Sequence, residues 1–254
     1  MTAKVGKNYK LTLAYDGTDF LGWQRQTKGP TLQGVLEEAL FKLCGHPVTV
    51  WASGRTDAGV HARAQVVNFW TSSPRSTVEL VRGGNAILPM SMAILSAQEV
   101  TEDFNARFSA VGKTYAYDFS IAPVRNPLLV FRAWHVGPKL DWDRIKAALP
   151  LLVGNKDFKA FGSAGSEVKT TVRTISEAVL TKPEEDIQRL TLTGSGFLRH
   201  MVRTIAGTLW LIGRGRMSPE ELTALIESKD RRRAGPVAPP QGLFLERVYY
   251  DPAL

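Results

Sequence analysis

Apolar and polar residues alternate along this chain with two periods, and the change from one period to the other marks its elements. From Tyr9 to Tyr15 every second residue is apolar (Tyr9, Leu11, Leu13, Tyr15), the period of a strand with one buried face. Asp16-Gly17 follows as a turn, with no second acid two residues on to suggest an aspartate phosphatase. Between Thr31 and Leu43 the spacing lengthens, and Leu32, Val35, Leu36, Ala39, Leu40 and Leu43 fall on one helical face. Thr31 can cap that helix, and Gly45 with Pro47 ends it. Strand-like runs recur at 48–52 and 64–70, a helix at 77–86, a strand at 92–100 and an alternating run at 113–121. Two prolines make 122–127 a loop.

The second half repeats the mixture. Asp141 caps a helix running to about Leu152, which Pro150 should kink or end. Residues 172–180 and 187–193 predict a strand pair around the acidic turn Pro183-Glu184-Glu185-Asp186. The apolar face Phe197, Leu198, Met201, Val202, Ile205, Ala206, Leu209 and Ile212 predicts one long helix, entered tightly through Gly194-Ser195-Gly196. Gly207 inside it costs about 1 kcal/mol against alanine, which predicts a second backbone lying close by. Ser218-Pro219-Glu220-Glu221 is a capping box with proline at the first helical position, and 243–250 closes as a strand. Hairpin-linked strands with interspersed helices predict an α+β fold, its antiparallel sheet covered by helices on one face.

Composition narrows the classes. The chain has 254 residues, room for one large domain or two modest ones sharing a cleft. Its net charge of +8 favours a polyanionic partner, and the excess lies mainly in the second half. Cys44 is the only cysteine, which excludes an intramolecular disulfide; on the apolar stripe of its helix it reads as a buried, inert thiol. The N-terminus lacks the apolar core of a secretory signal and no run reaches the ~18 apolar residues of a membrane helix, so a cytoplasmic protein is expected. His46, His61, His135 and His200 are scattered without i,i+4 pairing or cysteine partners, and no metal site is expected. There is no Gly-x-Ser-x-Gly elbow and no glycine-rich phosphate loop.

Candidate chemistry concentrates in Ser53 to Ala62, read as Ser-Gly-Arg-Thr-Asp-Ala-Gly-Val-His-Ala. Gly54 and Gly59 flank Arg55 and Asp57, so the loop can fold tightly and leave its acid at the mouth of a cleft. On spacing alone, a polar turn with a weak surface ion pair explains it as well.

The identity of that string resembles the signature of the tRNA pseudouridine synthase A family, in which the aspartate is the nucleophile. Further blocks carry the resemblance over more than two hundred residues. They are Tyr15-Asp16-Gly17 with Gly22-Trp23-Gln24-Arg25-Gln26, Phe104 through Ser109, Lys113-Thr114-Tyr115-Ala116-Tyr117, Gly196 through Arg203, and Lys229-Asp230-Arg231 with Ala234-Gly235-Pro236 and Gly242-Leu243. The resemblance implies isomerisation of uridine to pseudouridine at positions 38, 39 and 40 of the tRNA anticodon arm. It also implies a homodimer, no metal and no organic cofactor. The implied fold has two similar α+β halves, 1–110 and 111–254, sharing a central antiparallel-rich sheet with the site in the cleft between them.

The reaction moves no atoms or electrons in or out of the nucleoside apart from a proton, so a lone carboxylate suffices. It either adds to C1′ of the ribose or removes a proton from C2′. Asp57 is that carboxylate, and Arg55 would orient it. Tyr115 stands where the family stacks a tyrosine on the target base. Arg203 can reach Asp57 or a phosphate, and Leu198 and Met201 can line the uracil pocket, though core packing accounts equally for both. Lys10, Arg25, Lys28, Arg75, Arg82 and Arg231 are candidate RNA-backbone contacts. The alternatives are a non-catalytic RNA-binding protein of the same fold and a glycoside hydrolase, which would need a second carboxylate.

Overall fold

The computed structural model describes residues 6–163 and 168–251. Among these the chain forms ten strands, mostly paired antiparallel, and five α-helices, the α+β class expected. It divides into two compact units, Met1–Val111 with Leu245–Leu254, and Gly112–Phe244.

The first unit contains β1 (Lys7–Tyr15), α1 (Leu32–Cys44), β2 (Val50–Ala52), β3 (His61–Thr71), α2 (Thr77–Ile87) and β4 (Met92–Val100). β1 lies between β4 and β3, antiparallel to both, so that Leu11 faces Val67 on one side and Ala97 on the other. The alternation read from the sequence holds, with Tyr9, Leu11, Leu13 and Tyr15 all buried. α2 packs on that face: a Cβ at Gly84 would come within 2.4 Å of Ile94 Cδ1, and Ile94 is the register partner of Leu13. The Thr31 hydroxyl caps α1 by accepting the Gly34 N–H at 3.3 Å, and Gly45 ends it at φ +78°. Cys44 is buried, and burial raises its thiol pKa.

The second unit contains β5 (Ala110–Ser120), β6 (Trp134–His135), α3 (Trp142–Ala148), β7 (Gly154–Asp157), β8 (Val172–Glu184), β9 (Ile187–Gly194), α4 (Met201–Gly213) and α5 (Pro219–Ser228). Its strand order is β5-β9-β8-β7, with the short β6 parallel to β5. Pro150 ends α3 as predicted, and the chain continues as a 3-10 turn over Leu149–Leu152. The β8–β9 hairpin closes at Glu184 opposite Ile187, further into the acidic turn than the pattern suggested.

α4 begins at Met201, not at Phe197. His200 sits at φ +64°, a left-handed conformation that cannot continue a right-handed helix. Leu198 is nevertheless buried, against Gly162, so the apolar period runs on through a non-helical turn and imitates a helix. Gly207 behaves as expected: a Cβ there would lie 1.9 Å from the Pro236 carbonyl oxygen.

The last strand, β10 (Leu243–Tyr250), lies beside β3, and its residues from Leu245 onward belong to the first unit. The Tyr250 hydroxyl donates to the Ala106 carbonyl at 2.7 Å and its ring lies 5.1 Å from that of Phe104.

Candidate active site

Asp57 lies in the loop joining β2 to β3, and buried polar side chains shape that loop from beneath. Gln65 on β3 is completely buried. Its carboxamide oxygen accepts the Ser53 hydroxyl at 2.7 Å and the Val66 N–H at 3.1 Å, while its NH2 donates to the Gly54 carbonyl at 2.9 Å and reaches the Tyr15 hydroxyl at 3.5 Å. Tyr15, at the end of β1, shares a hydrogen bond of 2.9 Å with the Thr56 hydroxyl. Burial pushes the Tyr15 phenol up to about 12, which keeps it neutral and able to donate. An unpaired buried polar group costs about 1–3 kcal/mol, so these mutual partners fix the backbone on both sides of Arg55.

Two further strands of chain brace the loop. The Trp23 N–H donates to the Thr56 carbonyl at 3.0 Å. Gly22, at φ +89°, makes that approach possible, since a Cβ there would stand 2.8 Å from the Thr56 carbonyl oxygen and 3.0 Å from the Ala58 nitrogen. The Val60 N–H donates to the Asp57 carbonyl at 3.2 Å, a turn that directs the chain into β3. Asp16 does the work expected of a turn residue: its Oδ1 accepts the Thr18 N–H at 3.1 Å. The Gly17 N–H lies 3.1 Å from Nδ1 of the buried His61.

On this scaffold Asp57 is half-buried and Arg55 exposed. Thr56 between them is buried against Tyr15. Among the described residues Arg55 forms no ion pair with Asp57.

The other expected substrate contacts lie in the second unit. Tyr115 is on β5 opposite Leu192, nearly buried, with its ring edge-on to Phe197 at 5.1 Å. Leu198 and Met201 are buried and pack as core. Arg203, in the first turn of α4, is half-buried; its Nε donates to the Ala238 carbonyl at 2.7 Å, and the Ala238 N–H returns a bond to the Arg203 carbonyl at 3.1 Å. Tyr117, its neighbour on β5, is core: its hydroxyl donates to the Pro239 carbonyl at 2.8 Å, and burial raises its pKa.

The six candidate phosphate contacts divide. Arg25, Lys28 and Arg82 are exposed, Arg25 lying 3.4 Å from Glu37. Arg75 and Arg231 are half-buried and each donates to a backbone carbonyl, of Leu43 and Gly235. Lys10 stands over the rings of Phe104 and Tyr250 at 5.3 and 5.7 Å, and burial lowers its pKa. Sequence reasoning singled out neither Gln65 nor the Tyr15 hydroxyl, which lie 50 residues apart. The only signal for them was Tyr15 standing in one of the quoted blocks. Among the described residues no cluster of three His, Cys, Asp or Glu could hold a metal ion, and no helix is long and apolar enough to cross a membrane.

Residues 12–109 and 148–251 match a family described as tRNA pseudouridine synthase. A protein of Syntrophotalea carbinolica named tRNA pseudouridine synthase A is 45% identical over 243 residues, covering 96% of each chain. One of the same name from Neisseria meningitidis serogroup B is 46% identical over 248 residues, 97% of this chain and 93% of that one. Among solved structures, a Cbf5-Nop10-Gar1 complex matches 80% of this chain and 44% of that one at 12% identity and a TM-score of 0.39, too weak a likeness to argue from.

Proposed function

The chain belongs to the tRNA pseudouridine synthase family, and from that premise we propose that it isomerises uridines 38, 39 and 40 of the tRNA anticodon arm with Asp57 as nucleophile. As a member of the family it forms pseudouridine in tRNA. The observation that carries the reading is near-full-length identity of about 45% to two synthases of one name.

The chemistry breaks the bond between N1 of uracil and C1′, turns the base and joins C5 to C1′. N1 gains a proton and C5 loses one, so the product is an isomer of the substrate. Asp57 acts at the sugar, either on C1′ or on the C2′ proton, and a rigid loop suits either role because a nucleophile held in place loses little freedom on reaction. The loop is held by the Gln65–Tyr15–Thr56 hydrogen bonds, none of which uses the half-buried carboxylate of Asp57. Tyr115 stacks on the target base, offsetting part of the few kcal/mol that unstacking a base costs. Arg55, exposed two residues before Asp57, orients the carboxylate when substrate is bound. Arg203 assists at the carboxylate or a phosphate. The enzyme works without metal or organic cofactor, as a cytoplasmic homodimer, which sedimentation would check.

The deciding experiment is tritium release from tRNA labelled with [5-³H]uridine. Wild type should release tritium, and Asp57→Asn should release none while still binding tRNA. Turnover by the Asn variant would remove Asp57 from its role. Binding without turnover by wild type would favour the non-catalytic RNA-binding reading. Tyr115→Leu should cut release by about a hundredfold, the upper range of a lost base stack.

A further inference from the structure

The turn between β4 and β5 presents an aromatic ring and a guanidinium to solvent from an unusually well-fixed backbone. Phe108 is 80% exposed and Arg107 is exposed beside it, its guanidinium carbon 5.5 Å from the Phe108 ring centroid. The exposure does not come from a loose loop. The Asn105 carboxamide oxygen accepts the N–H of both Arg107 (2.9 Å) and Phe108 (3.1 Å). The Ser109 N–H donates to the Asn105 carbonyl at 2.9 Å, and the Ser109 hydroxyl accepts the Asn105 N–H at 3.1 Å. The preceding residue, Ala106, is fully buried, held by Asn68 Oδ1 on its N–H (2.8 Å) and by the Tyr250 hydroxyl on its carbonyl (2.7 Å).

The rings that anchor this turn also place a cation. Phe104 and Tyr250 both lie under the Lys10 ammonium. On β1, Lys10 points to the opposite face from Leu11 and Leu13, the face on which α2 packs, so this side of the first unit is free of α2. The acids of the segment, Glu102 and Asp103, precede the buried Phe104, whereas Arg107 and Phe108 follow it.

We propose that Arg107 and Phe108 form a stacking platform for a nucleobase of the tRNA, with Phe108 taking the face of an unpaired base and Arg107, aided by Lys10, the adjoining phosphate. Every base has a π-face, so a pre-ordered aromatic ring gives affinity without reading sequence, and a neighbouring guanidinium adds both charge and a second stacking plane. A rigid turn matters because the ring then loses little freedom when the base arrives. This site rests on the proposed function, since its ligand is that reaction's substrate, and it adds a contact outside the Asp57 loop and the Tyr115 strand.

The test is binding of unmodified tRNA to the full chain across a salt series, for wild type, Phe108→Ala, Phe108→Trp and Arg107→Ala, with tritium release measured in parallel. Phe108→Ala should weaken binding on the order of tenfold while Phe108→Trp keeps it. Arg107→Ala should flatten the plot of log affinity against log salt by about one phosphate contact. The melting temperature should stay unchanged, because both side chains are exposed. Affinity of Phe108→Ala within about twofold of wild type, a change too small for a lost base stack, overturns the platform. So does a loss of self-association with tRNA affinity intact, which would make Phe108 a contact between copies of the chain. If wild type releases tritium and only the platform fails, the proposed function stands. If wild type releases none yet Phe108→Ala still binds tRNA weakly, the platform survives and the catalytic reading falls.

Discussion

The Asp57 loop and the interior of α4 are both fixed tightly in place, and they are fixed by different physics. Beneath the loop, side-chain polar groups satisfy one another in a buried network of Ser53, Tyr15, Thr56 and Gln65. At α4, backbone lies directly on backbone: Gly207 meets Pro236, Gly235 meets the Gly207 carbonyl, and the Gly235 N–H reaches the Thr208 hydroxyl at 3.0 Å. The first arrangement fails when a polar partner is removed. The second fails when an atom is added. A loop that carries a reacting group benefits from hydrogen bonds, which fix direction as well as distance, whereas a helix that needs only to be seated can rely on shape.

That contrast can be broken most severely at Gly207. Gly207→Val should destabilise by about 3 kcal/mol or more, because the backbone at Pro236 cannot yield as a flexible side chain would; chemical denaturation would measure it. Gly207→Ala should already show most of the loss, and a neutral Ala variant would show that the tail moves freely. Next comes Gln65→Leu, similar in size but without hydrogen-bonding capacity. It removes the bonds that Gln65 makes to the Ser53 hydroxyl, the Gly54 carbonyl and the Val66 N–H, for a loss of about 2 kcal/mol. It should also lower tritium release more than tRNA affinity, whereas a purely structural role would leave activity per folded molecule unchanged.

Alkali sharpens the comparison, because the loop network contains a titrating group. The Tyr15 phenol is raised from its ordinary value near 10 to about 12 in the fold. Below pH 10 both folded and unfolded chains hold the proton and the contribution is complete. Between pH 10 and about 12 the unfolded chain loses its proton first, and stability falls by about 2 kcal/mol. Tyr15→Phe should flatten part of that decline, leaving the share due to Tyr117 and Tyr250, whose pKa values burial also raises. The smallest effect belongs to the exposed end of the Arg25–Glu37 pair: Arg25→Ala should change stability by less than about 0.5 kcal/mol, measured by the same denaturation.

Local signals carried much of the fold. Thr31 and Gly45 bracket α1, Ser218 caps α5, and β10 keeps the bounds its pattern suggested, because each of these depends on residues close in sequence. Gly207 was readable because a glycine in a helix interior is costly unless something needs the space. The start of α4 was misread because Leu198 is buried in step with the helix that follows, and apolar periodicity records burial rather than backbone angle. The string around Asp57 was conspicuous as a string, but what holds it was not: Gln65 and Tyr15 are 50 residues apart, and no period links them.

The return of the last strand to the first unit has a consequence for how the protein is made. Ala106 and Phe104 are held by Tyr250, which lies 144 residues beyond Ala106, so the first unit waits for residues made long after most of its own. Domains tend to fold as they emerge, amino-terminal parts first, but here the whole of the second unit must be translated before the first can close. A chain lacking Tyr250 would leave Phe104, Val66 and Val100 without part of their apolar cover, a mark by which quality-control proteases can distinguish it from a chain that carries the strand.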